Sequence, residues 1–359
     1  MVLHHGPYYR RHMRWDIFCR VIDNHGDAGV CWRVAAELGA RGEQVRLWMD
    51  DTTPLAWMAP EGTDGVEVVH WRSPAAALEP GDVVVEAFGC DPPPDFVARM
   101  AAAARPPLWL NLEYLSAESY VERSHGLPSP VSGGPGAGLV KRFFYPGFTA
   151  RTGGLLRERD LPARRAAFAR SAGLRHRGVQ PGGGQVVSLF CYEPAALPQL
   201  LDLLAAAAER TDMLVTAGRA TDAVRATGEG SRGSLRLHFL PRLSQGEYDR
   251  LLWSCDLNFV RGEDSAVRAL LAGQPSVWQV YPQADGAHVA KLEAFLQWLA
   301  PAAGLREFVL AWNGVGGGRL PGLDVAGWRP AASAARQRVE QLPELATELL
   351  RFTAGHARI

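Results

Sequence analysis

Val21-Ile22-Asp23-Asn24-His25-Gly26-Asp27-Ala28-Gly29-Val30 joins an apolar run to a helical pattern and sets two carboxylates four residues apart in a glycine-bearing turn. Upstream, Trp15 to Ile22 carries apolar Ile17, Cys19 and Val21 and reads as a strand. Downstream, Val30 to Leu38 repeats apolar residues at helical spacing until Gly42, and Gln44 to Met49 reads as the next strand. The unit is β-turn-α-β. In open parallel sheets ligands gather beyond the carboxyl ends of the strands, where this turn places Asp23 and Asp27. A helix N-terminus also attracts an acid, so Asp27 reads either as a cap or as a working carboxylate, while Asp23 is left without that structural explanation.

The chain of 359 residues is 47% hydrophobic, enough for two cores, and its formal charge is zero, which gives no broad nucleic-acid footprint. No apolar run approaches the roughly 20 residues that span a bilayer, so no membrane partner is expected. Residues 1–14 lack the apolar stretch of a secretory signal and read as a flexible extension. Five scattered cysteines without a Cys-x-x-Cys pair read as buried thiols of a reducing compartment, the cytoplasm. The ten histidines form no ligand-spaced set, so no metal is expected.

Strands are predicted at Val66 to His70, Val83 to Ala87 and Leu108 to Asn111. Leu127 to Gly138, rich in proline and glycine, reads as an irregular surface loop, either a spacer or a lid. After a break at Arg175 to Gly184 the alternation restarts. Strands follow at Gln185 to Phe190, Met213 to Thr216, Leu235 to Leu240, Leu257 to Val260 and Ser276 to Gln279, with helices at Ala195 to Glu209, Gln245 to Ser254 and Ser265 to Ala272. The fold class is α/β, with two Rossmann-like domains, at 15–178 and 179–330, facing each other across a central cleft. A helical tail over 331–359 crosses back towards the first domain. This plan resembles the GT-B architecture.

Asn258-Phe259-Val260-Arg261-Gly262-Glu263-Asp264-Ser265 runs from strand through a glycine turn into a helix, where free N–H groups, Arg261 and Ser265 suit a diphosphate. Glu263 and Asp264 add negative charge there; gripping a ribose explains one of them. The plain alternative is a capped helix start with Arg261 paired to a surface acid. Phe190 and Tyr192, at strand spacing, either stack on a base or belong to the core. Gly26-x-x-Gly29 is not a dinucleotide fingerprint, no phosphate loop with Gly-Lys-Ser/Thr occurs, and Asp50-Asp51 ends a strand.

Together with Ile17 to Arg33, Leu47 to Asp51 and Ser188 to Glu193, these motifs resemble the arginine rhamnosyltransferases of bacterial elongation factor P, over nearly the whole chain. The resemblance implies a GT-B enzyme that moves L-rhamnose from dTDP-β-L-rhamnose to an arginine side chain of elongation factor P with inversion, without a cofactor. It implies Asp27 as base, Asp23 as essential partner and Glu263 as essential glutamate. Phe190, Tyr192, Gln245, Arg261 and Ser265 would contact the donor, joined by Asn24, His25, Gly26, Gly262 and Asp264. Arg242 stands where the family often has a stacking phenylalanine, so the base would stack on Arg242 itself or on Phe190. A GT-B transferase with another donor or acceptor, a glycoside hydrolase and a noncatalytic carbohydrate-binding protein are the rival readings.

Overall fold

The computed structural model describes residues 12–21, 25–71, 78–228 and 230–356. Asp23 and Asn24 lie outside the described residues, as does most of the 1–14 extension. The first part of the chain forms β1 (Arg14–Cys19), α1 (Gly26–Ala40), β2 (Gln44–Met49), α2 (Leu55–Met58), β3 (Val66–His70), β4 (Val83–Ala87), α3 (Pro94–Ala102), β5 (Leu108–Leu112), α4 (Tyr120–Ser124), β6 (Pro128–Pro130), β7 (Val140–Phe144), α5 (Leu161–Ala166) and α6 (Arg170–His176). The second forms β8 (Gln185–Leu189), α7 (Leu197–Ala205), β9 (Thr211–Val215), α8 (Arg219–Ala226), β10 (Leu235–Phe239), α9 (Gln245–Ser254), β11 (Leu257–Arg261), α10 (Glu263–Ala272) and β12 (Ser276–Gln279). The helices α11 (Ala287–Leu299), α12 (Ala303–Trp312), α13 (Val325–Gln341) and α14 (Leu345–His356) complete the chain.

The strands make two sheets, ordered β3-β2-β1-β4-β5-β7-β6 and β10-β9-β8-β11-β12, parallel throughout except for antiparallel β6 on β7. Parallel strands covered on both faces need continuous apolar runs, and every residue of β4 and of β9 is buried. Register aligns Ile17 with Leu47 on one side and Val85 on the other. In each sheet the chain leaves one strand in both directions, between β1 and β4 and between β8 and β11, and the crevice that opens at such a switch point holds ligands. The molecule is an α/β protein of GT-B architecture, and the two switch points face one cleft.

Helix α1 begins at Gly26, four residues before the predicted Val30, so Asp27 lies in its first turn. The first turn is half glycine, which hides it from apolar periodicity. The Pro/Gly stretch is not an irregular loop. It forms β6 and a short 3-10 turn at Gly134–Gly136, because β7, absent from the sequence reading, offers it an edge. Gly136 is buried, and a Cβ there would stand 2.8 Å from Val97 Cγ1, so glycine is what lets this hairpin pack. Helix α14 returns to the first sheet, burying Leu345, Ala346, Leu349 and Leu350 in its core.

Candidate active site

One wall of the site is built at the ends of β8 and β11. Gly262, at φ +69°, turns the chain into α10 without a side-chain cap, leaving the first-turn N–H groups open. Ser265 is no cap either: its hydroxyl donates back to the Arg261 carbonyl. The Arg261 guanidinium lies 4.6 Å from the Phe190 ring centre and 4.5 Å from that of Tyr192. β8 ends at Leu189, so the two rings converge through a loop rather than by strand alternation. Gln279 fixes that loop by accepting the Tyr192 N–H at 2.8 Å. Among the described residues no carboxylate pairs with Arg261, and its Nη1 is buried without a hydrogen-bond partner. The surface ion pair weighed from sequence is therefore not formed. Burial lowers the pKa of this guanidinium from its usual range. These groups line a cleft of about 290 Å³ that also takes in the turn Thr216 to Arg219, where Gly218, at φ +84°, opens the N-terminus of α8.

The acids stand where α1 and α10 approach each other. Asp27 is pushed up to about 6, first by burial and then by the charge of Glu263, against a hydrogen bond from Tyr114. The Tyr114 hydroxyl donates to Asp27 Oδ2 at 3.4 Å, and its ring stacks on Phe88 with centres 4.5 Å apart. Phe88 holds φ +58°, an uncommon conformation for a bulky residue, at the end of β4 beside the first switch point. Glu263 accepts the Leu115 N–H at 2.6 Å through Oε2 and pairs with Lys291 through Oε1. Asp264 turns the other way, its Oδ2 3.2 Å from Arg33 Nε. The two acids that look misplaced for a phosphate turn thus each bind a group of the first domain.

Four other predicted residues border the same cleft. His25 and Gly26 line it at the start of α1. Arg242 stands over Trp57, 5.6 Å from the ring centre, and His25 meets that indole edge-on at 5.8 Å. Burial and the Arg242 charge hold His25 below its ordinary pKa. The Gln245 amide crosses the cleft to donate to the Gly29 carbonyl at 2.9 Å. The sequence reading missed Arg33, Trp57, Tyr114 and Lys291, all joined to predicted residues only in three dimensions; Tyr114, just beyond the predicted Leu108 to Asn111 strand, had positional warning. Asp50, read as a strand end, accepts the Val21 N–H at 2.8 Å and pins the entry of the first turn.

Among the described residues no group of three or more His, Cys, Asp or Glu side chains could hold a metal ion, and no helix is long and apolar enough to cross a membrane. All five cysteines are free and buried.

The family model for elongation-factor P (EF-P) rhamnosyltransferase EarP matches residues 15–354. A protein-arginine rhamnosyltransferase of Pseudomonas putida is 48% identical over 307 residues, covering 79% of this chain and 80% of the relative. One of Pseudomonas aeruginosa is 43% identical over 374 residues, covering 95% and 98%. A solved structure giving the structural basis for EarP-mediated arginine glycosylation of translation elongation factor EF-P superposes with a TM-score of 0.66 at 33% identity, covering 96% of this chain and 99% of that one. The cleft described above therefore lies within a match that runs nearly end to end, and the chain belongs to the EarP family of rhamnosyltransferases, a group of glycosyltransferases.

Proposed function

We propose that this protein transfers L-rhamnose from dTDP-β-L-rhamnose to an arginine side chain of elongation factor P, with inversion at the anomeric carbon. The observation that carries the reading is a cleft lined by Arg261, whose buried Nη1 has no hydrogen-bond partner, and by Glu263, whose charge acts on Asp27, a carboxylate with its pKa raised to about 6 at the start of α1. The names of the relatives above supply the sugar and the acceptor residue.

Arg261 and the α10 N–H groups meet the diphosphate, while Phe190 and Tyr192 enclose the nucleotide side. The acceptor guanidinium enters beside Asp27 and Glu263, and one nitrogen is aimed at the anomeric carbon. As the C–N bond forms, the C–O bond to the diphosphate breaks, its electron pair leaves with dTDP, and the nitrogen's proton passes to Asp27. A guanidinium with pKa above ~12 facing a base at about 6 leaves a gap of roughly six units, on the order of 8 kcal/mol. Full deprotonation before attack is therefore too costly, and proton loss accompanies bond formation. An ordinary carboxylate near ~4 would face about 11 kcal/mol, so burial of Asp27 narrows the gap without closing it. With both oxygens of Glu263 engaged by Leu115 and Lys291, its geometry favours organising the site over gripping the ribose. Asp23 remains the proposed partner of Asp27, and Asn24 a proposed contact of the donor. The diphosphate charge is met by protein groups alone, so a chelator leaves turnover unchanged. The acceptor, a translation factor, places the reaction in the cytoplasm.

Intact-mass measurement of unmodified elongation factor P after incubation with this protein and dTDP-β-L-rhamnose tests the reading. A gain of one deoxyhexose, lost with Asp27→Asn, is expected. No gain under conditions where dTDP binds would overturn the acceptor assignment, and a panel of nucleotide sugars in thermal shift would then identify the donor class.

A further inference from the structure

Helix α1 carries Asp27 in its first turn and, under two turns later, Arg33, which is 5% exposed. Arg33 draws none of its partners from its own domain's sheet. Its Nη1 binds Glu158 at 2.7 Å in the segment leading to α5, its Nη2 binds Asp249 of α9 at 3.2 Å, and its Nε binds Asp264 of α10 at 3.2 Å. Arg268 of α10 closes the cluster from behind, on Asp249 at 2.6 Å and Glu158 at 2.6 Å. Beside it, the Gln245 amide grips the Gly29 carbonyl.

Burying a guanidinium among acids gains little over a well-packed apolar side chain, so stability alone gives no reason for this arrangement. What a rigid planar fork does, and an ammonium cannot, is fix several carboxylates in direction as well as distance. Three carboxylates on three different segments, held by one side chain of α1, set both the rotation and the height of that helix against α9 and α10. The turn from Gly262 to Ser265 belongs to α10, so the same contacts set its distance from Asp27.

We propose that Arg33 is the positioning residue of the transfer: it holds the Asp27 carboxylate in register with the donor turn by clamping α1 to Glu158, Asp249 and Asp264. The inference rests on the assignment of Asp27 to the acceptor and of the α10 turn to the diphosphate. Misplacement of reacting groups by an ångström costs on the order of 10²-fold in rate. Because every bond of the clamp lies within the chain, the register exists with or without donor.

Arg33→Lys keeps the charge and removes the fork. Its kcat for rhamnosyl transfer falls on the order of 10²-fold while its dTDP affinity by calorimetry stays within about threefold, since the diphosphate and aromatic contacts proposed above lie on the second domain. Spin labels on Asp95→Cys in α3 and Asp222→Cys in α8, both exposed, read the relative placement of the domains independently of catalysis. The labelled parent gives one narrow distance that dTDP leaves in place, and Arg33→Lys broadens it. Glu158→Gln, which preserves volume and takes one carboxylate from the fork, produces the same split in smaller degree should Arg33→Lys not fold. A kcat within about threefold of the parent, equal losses of kcat and dTDP affinity, or a parent distance that moves when dTDP binds would overturn the proposal. If the parent transfers nothing to elongation factor P while the distances behave as stated, the reaction assignment fails and the clamp stands.

Discussion

At the scale of a residue, Asp27 gathers the opposing demands of the site. As the proposed base it works as the anion, so transfer should rise with pH around an apparent pKa of about 6 and fall away in acid. The neighbours fix the sign of each shift. Glu263 raises Asp27, so Glu263→Gln moves the profile of residual kcat/KM to lower pH. The Tyr114 hydrogen bond favours the anion, so Tyr114→Phe moves it to higher pH. A pH series on the three proteins checks both, and a shift of the opposite sign in either assigns the acidic limb to another group. The same elevation acts on folding. A folded pKa of about 6 against 3.8 means that the favourable share of Asp27 is present below about pH 4 and is lost as pH rises through 6. The ionised carboxylate then opposes folding by on the order of 2–3 kcal/mol. Asp27→Asn should therefore abolish transfer and melt above the parent at pH 8, with the gain vanishing near pH 4. Calorimetric melts at the two pH values measure it, and an inactive variant that melts below the parent at pH 8 would remove burial as the cause of the shift.

At the scale of an element, β11 and α10 do the most with the fewest residues. The strand delivers Arg261, the glycine turn opens the N–H groups, and the next two acids dock the helix on the first domain. Arg261→Gln removes a cation that no carboxylate among the described residues pairs and should weaken dTDP binding by about 10- to 100-fold, the worth of hydrogen bonds to a charged group. Titration calorimetry reads this, and an unchanged affinity would move the diphosphate elsewhere in the cleft. The strand and turn were legible because buried parallel strands write themselves as short apolar runs; β2, β3, β4, β12 and α9 have the bounds their patterns announce. The docking was not. Tyr114 meets Asp27 across 87 residues, Leu115 meets Glu263 across 148, and Arg33 meets Asp264 across 231. Periodicity reports which face of an element is apolar and is silent on which distant side chain will stand opposite it. Arg242 makes the point from the other side: the resemblance offers it or Phe190 to stack on the base, and no pattern in the sequence announces that it stands over Trp57 of the first domain.

At the scale of the molecule, the chain closes on itself. After the second sheet and α13, the segment ending in α14 returns to the first domain, where the Leu155 N–H donates to the Pro343 carbonyl at 3.0 Å and Arg41 binds Thr347 at 2.7 Å. Leu345, Leu349 and Leu350 enter the same core as Ile17, Val34 and Leu47. Three buried leucines contribute roughly 5–9 kcal/mol at about 1.5–3 kcal/mol each, as much as the whole net stability of many domains. The core under the first sheet is therefore incomplete without the last helix, although the proposed donor turn and its aromatic cover are made entirely by residues between β8 and β12. Truncation before Pro343 should abolish transfer by unfolding the acceptor side first. Hydrogen exchange should then show β1, β2 and β4 losing protection while β8, β9 and β11 keep theirs. Uniform loss across both sheets would mean that the two cores fold as one unit, with the Arg33 cluster and the Glu263 contacts transmitting the collapse; retained activity would show that α14 is dispensable to the core it enters.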